Sequence, residues 1–405
     1  MKRYLHNIFN CCIVFFSLLL YSHFFFYILW KETVGPKLVW VFIIACLGLT
    51  VMLIHKIKGK DTNRGIVFFL LLIPLVALLI KFAFKSQSIE SERITILMLF
   101  ATIQYYLIVS LKITERQIIN TFLFYGFITL ILQIYQQQPD SIPLFGIIGN
   151  DEINAGIDRN GVLRFYIGSY FIALLSSFYF WNKLLNKSSI LSILFLACFA
   201  ASLYFYLVRQ LMAVFLLTIA FSVFLINNKK IKIWASFSIA IIAILIIAFY
   251  DLLFAELVED YASDTWTTDI RFKCIEFTLG QIFDNPLQAI FGHGRDEIVL
   301  TWSRMQYDLS DIGIVGETYY YGIVWAVLYL ITIYIYLVRY RKSIPLYIRL
   351  YFIGTLIDCI FIFPYRSNLE IFIWLCLLYI CHLYVDNKEG VYNKLIIEKR
   401  NRLLS

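Results

Sequence analysis

The chain has 405 residues, of which 61% are apolar, 18% aromatic and only 15% charged. Soluble domains average about 45–50% apolar and about 25% charged, so the 37 Phe and 28 Tyr exceed what a soluble core absorbs. The balance excludes a soluble enzyme, a nucleic-acid-binding protein and a secreted disulfide scaffold, but not an enzyme acting at a membrane face.

Met1-Lys2-Arg3 leads into an apolar stretch longer than a signal-peptide core, with no small-x-small cleavage site after it, and reads as an uncleaved first span. Apolar runs predict further helices in chain order. The first six are 8–30, 38–54, 66–84, 94–111, 118–135 and 165–181. The second half gives 190–207, 211–226, 233–250, 314–337, 350–363 and 371–385. The stretch 190–226 is divided by a hairpin at Arg209. One continuous helix would carry Lys229, Lys230 and Lys232 to the outer side, against the positive-inside rule. Pro364-Tyr365-Arg366-Ser367-Asn368 predicts a turn between the last two spans.

The expected fold is therefore an all-α polytopic membrane protein of about 12 transmembrane helices, forming one integral domain over 1–405 with both termini cytoplasmic. In that arrangement the cytoplasmic segments hold 22 Lys and Arg against 5 Asp and Glu, so the net charge of +8 conceals a basic inner face and an acidic outer one. Two sizeable outer loops result, 136–164 and 251–313, the second lying between spans 9 and 10. Asp251–Asp264 and Thr268–Phe283 within it have helical apolar spacing, the latter opening on Thr-Thr-Asp as a cap and placing Ile270, Cys274 and Phe277 on one face. Seven of the eight cysteines fall in apolar runs, where they pack as small hydrophobes. No Walker A, GxGxxG or DxD pattern supplies a nucleotide platform, so chemistry is expected at the outer face.

Charged groups beside apolar spans are costly and ask for a function. Arg164 enters the sixth span, Arg209 stands at the hairpin between apolar flanks, and Arg271 lies on the second loop helix. Guanidinium groups bind phosphate oxygens bidentately and stay charged at any pH, so three arginines on separate elements could enclose one diphosphate. A snorkelling or ion-paired arginine is the plainer alternative for each. His293 sits between Gly292 and Gly294, where the backbone bends easily, and imidazole suits proton transfer near neutral pH. Asp311 stands at the mouth of span 314–337, as a base toward a sugar hydroxyl or simply as a helix cap. Arg295, Arg304 and Tyr166 are secondary candidates.

Four short patterns, in order and in topological place, carry a family resemblance. They are Arg164-Phe-Tyr-Ile-Gly168, Val208-Arg209-Gln210-Leu211-Met212-Ala213, Asn285-Pro286 leading to Phe291-Gly292-His293-Gly294, and Ser310-Asp311-Ile312-Gly313. With them the chain resembles the Wzy-type O-antigen polymerases of the O-antigen ligase–polymerase superfamily. The resemblance implies a metal- and cofactor-independent glycosyl transfer at the outer face of the bacterial cytoplasmic (inner) membrane. A glycan on polyprenyl diphosphate would pass to a sugar hydroxyl of a lipid-linked repeat unit. Arg164, Arg209 and Arg271 would hold the donor diphosphate, and Asp311 or His293 would be the base. Partners would be the lipid-linked oligosaccharide, the bilayer, a chain-length regulator and a flippase, with no nucleic acid. The ligases carry His-Asn where this chain reads Tyr307-Asp-Leu-Ser-Asp311, which favours polymerase over ligase.

Two rivals are open, beside the plainer alternative of a structural membrane subunit that recruits other assembly proteins. A glycosyltransferase using lipid-phosphate sugars would carry a long acidic loop after its first span, whereas Lys31–Lys37 is short with Glu32 its sole acid. A flippase for lipid-linked oligosaccharide fits twelve spans, but the chain has no convincing internal repeat, and apart from Lys81 and Asp358 its conspicuous charges lie at the outer face.

Overall fold

The computed structural model describes residues 2–22, 35–53, 63–85, 93–138, 158–159, 162–163, 170–187, 189–206, 209–226, 228–248, 265–294, 299–302, 305–360, 362–365 and 368–404. The fold is all-α, ornamented by two short antiparallel hairpins. Its first helices are α1 (Lys2–Tyr21), α2 (Gly35–Leu53), α3 (Arg64–Lys85), α4 (Arg93–Leu111) and α5 (Glu115–Gln136). After the hairpin β1 (Asp158–Arg159) and β2 (Val162–Leu163) come α6 (Tyr170–Asn186), α7 (Ile190–Phe205), α8 (Arg209–Leu225) and α9 (Lys229–Ala248). The chain therefore breaks between Phe205 and Arg209, giving two helices where one long apolar run stands in the sequence.

The large loop contains α10 (Thr265–Asp284), α11 (Pro286–Phe291) and the hairpin β3 (Val299–Trp302) with β4 (Met305–Asp308). A 3-10 turn, Leu309–Ile312, leads to α12 (Gly313–Tyr321) and α13 (Ile323–Tyr334), which ends in a π-helical turn, Ile335–Arg339. The last helices are α14 (Leu346–Asp358) and α15 (Asn368–Leu404). The expected span 314–337 is thus broken at Gly322, whose φ of +84° no β-carbon-bearing residue adopts readily. The expected helix Asp251–Asp264 lies outside the described residues. Helix α10 starts before the Thr-Thr-Asp expected to cap it, because Thr and Asp cap a helix only where the preceding chain turns away, and here Thr265 and Trp266 are already helical.

Among the described residues, two helices are long and apolar enough to cross a membrane, Glu115–Gln136 and Asn368–Asp386. They are used differently. From Leu369 to Cys381, α15 is buried on every side, as a helix apolar all round must be. Its Trp374 touches Tyr329, Tyr351, Phe352 and Tyr365, and this aromatic cluster joins α13, α14 and α15. By contrast, α5 buries one face and turns Phe124, Ile131 and Ile134 outward. Outward apolar side chains recur along α9, where Ile233, Trp234, Ile244 and Ile247 are all exposed.

Local chemistry sets where α5 begins. The side chain of Thr114 accepts from the amide of Gln117 at 3.3 Å, and the Gln117 side chain accepts from the amide of Thr114 at 2.8 Å, a reciprocal capping box. The next residue, Glu115, accepts the hydroxyls of Tyr347 at 2.8 Å and Tyr384 at 2.7 Å, tying the start of α5 to α14 and α15. The basic residues Lys183, Lys187, Lys229, Lys230, Arg339 and Arg341 lie at the helix ends on this side of the bundle. The opposite end of α14 is fixed by Ile314, whose amide donates to the carbonyl of Cys359 at 2.8 Å. It carries the large loop.

Trp374→Ala should destabilise the protein by about 3–5 kcal/mol, the cost of emptying a tightly packed aromatic site, seen as a lowered thermal or denaturant midpoint in detergent. Ile233→Ala, on an outward face, should shift stability by less than about 0.5 kcal/mol.

Candidate functional site

The loop end of the bundle is built from four elements that converge: α10, α11 with the segment Gly292–Gly294, the 3-10 turn, and α12. Helix α10 buries Ile270, Cys274, Thr278 and Ile282, a stripe at four-residue spacing that packs on α12 and the 3-10 turn. Burial pushes the Cys274 thiol above its ordinary range, as suits a packing residue. Phe277, expected on that stripe, is exposed instead, since a one-position shift around a helix moves a side chain by about 100°. With Phe272, Phe283 and Leu287 it forms an outward apolar surface over α10 and α11.

Asn285 and Pro286 launch α11. The Asn285 carboxamide oxygen accepts from the amide of Leu287 at 3.0 Å, and Pro286 occupies the first helical position, where no amide hydrogen is needed. Helix α11 stops at Gly292, which has a φ of +82°. Here two backbones meet. A β-carbon at Gly292 would strike the carbonyl of Tyr320, and one at Gly322 would strike the carbonyl of Ile290. Because neither exists, the amide of His293 donates to the carbonyl of Tyr319 at 2.8 Å and that of Gly294 to Tyr320 at 3.0 Å.

This docking seats His293 on Tyr319, with ring centroids 4.1 Å apart and planes inclined by 2°. The ring is 8% exposed, and its Nδ1 lies 3.3 Å from the Tyr319 carbonyl oxygen. A carbonyl only accepts, so in that contact Nδ1 is the donor. Arg271 is half-buried on α10 and Asp311 is exposed in the 3-10 turn. The residue before α12 is Ile312, which supplies no side-chain cap.

The structure thus gathers the elements that bear Arg271, His293 and Asp311. Arg209 is the first residue of α8, and its backbone alone is described. Arg164 follows β2 directly but lies, with Tyr166, Arg295 and Arg304, outside the described residues.

Acidic groups that sequence reading underweighted lie deeper. Glu317 on α12 and Asp358 at the end of α14 are wholly buried. Glu370, in the first turn of α15, is buried and accepts the hydroxyl of Tyr170 at 2.8 Å. Tyr170 opens α6, six residues after Arg164. A single acid inside an apolar run is the one signal that could have flagged Glu370. Among the described residues no three His, Cys, Asp or Glu side chains converge where they could hold a metal ion.

Gly292→Ala and Gly322→Ala should each cost about 1–3 kcal/mol, because both impose a left-handed conformation on alanine and separate the docked backbones. Gly280→Ala, with open space around its α-carbon on the outer face of α10, should be neutral or gain about 0.5–1 kcal/mol. Equal midpoints for all three variants in thermal unfolding would contradict the docking.

No protein-family model matches the chain, and no curated protein matches it significantly.

Proposed function

We propose that the protein is a multi-spanning glycan polymerase of the bacterial inner membrane, acting at the outer face on polyprenyl-diphosphate-linked oligosaccharide. The observation that carries the reading is the docked loop. It holds a histidine against a broken helix, with Nδ1 on the Tyr319 carbonyl, beside elements bearing an arginine and an aspartate. The apolar outward faces of α5 and α9 and the basic residues at the other end suit a bundle of about 12 spans with cytoplasmic termini. The outward phenylalanines of α10 and α11 suit helices lying on the membrane surface, where a lipid-linked donor would arrive.

In this reading Arg271, with Arg164 and Arg209 from the resembling motifs, binds the donor diphosphate. The acceptor sugar hydroxyl attacks the anomeric carbon of the donor. As the new carbon–oxygen bond forms, the bond to the diphosphate breaks, and its electron pair leaves on the diphosphate oxygen. Guanidinium groups stabilise that developing charge without a metal. The hydroxyl proton passes to Nε2 of His293 or to the Asp311 carboxylate. Arg295, Arg304 and Tyr166 are secondary candidates for the same ligand by their place in the sequence. A chain-length regulator and a flippase are the expected partners.

A second reading, a flippase for the same lipid-linked units, draws support from the helix broken at Gly322, since discontinuous helices line carrier sites.

A strain lacking the protein should keep single repeat units on its surface but lose the polysaccharide length ladder. Untranslocated lipid-linked units accumulating inside would favour the flippase. In proteoliposomes supplied with lipid-linked oligosaccharide, Arg271→Ala should lower kcat about 100-fold. Of His293→Gln and Asp311→Asn, the variant that removes the base should lose about 100-fold or more. Full activity in all three variants would sink the assignment.

A further inference from the structure

The opposite end of the bundle holds an open cleft of about 350 Å3 between the ends of α6, α8, α9 and α14. One wall is the first turn of α14, with Arg349 half-buried in it. A cation there opposes the helix macrodipole, whose N-terminal end is positive. Arg341 is close enough to act on Arg349 electrostatically, adding like-charge repulsion. Among the described residues no carboxylate lies within ion-pair distance of Arg349, its Nε has no hydrogen-bond partner, and its Nη1 reaches only the carbonyl of Leu225, at 3.4 Å. Three separate unfavourable terms thus meet at one guanidinium, and a bound anion would relieve all of them.

The other polar walls offer donors as well. The Asn182 carboxamide oxygen accepts from Nδ2 of Asn186 at 3.1 Å, which leaves the Nδ2 of Asn182 to donate. The Asn228 oxygen is committed likewise to the amide of Lys230 at 3.0 Å, leaving its own Nδ2. The first amides of α9 and α14 have no intrahelical acceptors. The spare donors of Asn182 and Asn228, beside a guanidinium with no carboxylate partner among the described residues, suit a phosphate group, and Arg is the side chain whose fork best fits its oxygens. Leu185 and Ile231 complete the cleft with apolar surface, as an acyl chain would need.

We infer that this cleft binds a phosphate-bearing ligand through Arg349, Asn182 and Asn228, at a site separate from the large loop. The phosphate can come from the headgroup of an anionic lipid or from the free anion. Purified full-length protein in neutral detergent, titrated with short-chain phosphatidylglycerol, with phosphatidylcholine of equal chain length and with inorganic phosphate, tells them apart by thermal midpoint. A saturable rise with phosphatidylglycerol but not phosphatidylcholine or phosphate assigns a lipid headgroup. A rise with inorganic phosphate assigns the free anion. Arg349→Gln should weaken either response about ten-fold or more, the scale of a charge-assisted hydrogen bond. Asn182→Asp keeps the bond from Asn186, replaces the spare donor by a negative oxygen and should abolish the response, so it tests the site even if Arg349→Gln fails to fold. No rise with phosphatidylglycerol or inorganic phosphate, equal rises with both lipids, or wild-type binding in Asn182→Asp would overturn the inference.

Discussion

Two glycines that let one stretch of backbone lie against another decide how the large loop sits. Gly292 ends α11 and Gly322 divides α12 from α13, and each presents bare backbone to a carbonyl of the other strand of chain. Amide–carbonyl bonds from His293 and Gly294 to Tyr319 and Tyr320 then close the contact. Without that approach the imidazole would have no ring to stack on and no carbonyl at its Nδ1. The apolar stripe of α10 would also lose the register that brings it onto α12. A break in an apolar helix leaves backbone groups to be satisfied, and here the docking segment satisfies them.

The remainder of the bundle gives this contact a rigid base. Trp325 at the start of α13 packs on Tyr321 and Tyr365, so the broken helix is held from behind by the same aromatic cluster that surrounds Trp374. At the far end, Glu115 receives two tyrosine hydroxyls and binds α5, α14 and α15 together. About 15 Å of helix separates Arg349 from Cys359, by the rise of α14. The two polar ends are therefore held at fixed separation by one packed interior and can take unlike ligands. One end offers an imidazole beside acidic and basic groups, the other a guanidinium among amide donors.

Much of this was legible along the chain. The break near Arg209 and the loop glycines around His293 act through neighbours in sequence, so their chemistry is readable there, whereas the equally local caps at Thr114 and Asn285 were not read. The hairpin β3–β4 was not read, although Val299–Trp302 and Met305–Asp308 are β-prone runs two residues apart. The apolar background around it masks alternation. Gly322 was likewise invisible, since a glycine inside an apolar run reads as a helix interior. Glu370 was passed over because a lone acid says nothing of its burial until the helices pack.

Composition and periodicity alone determined that the chain is helical, apolar on its faces and basic at its connections, because those properties are sums over local choices of side chain. Which helices become core and which turn their apolar faces outward was decided only by packing: the Asn368–Asp386 part of α15 and α5 have the same mean hydropathy, yet one is enclosed and the other half-covered. Tertiary structure also decided that His293 meets Tyr319 and that Arg349 faces a cleft with no carboxylate among the described residues, since both depend on contacts between residues far apart in the chain.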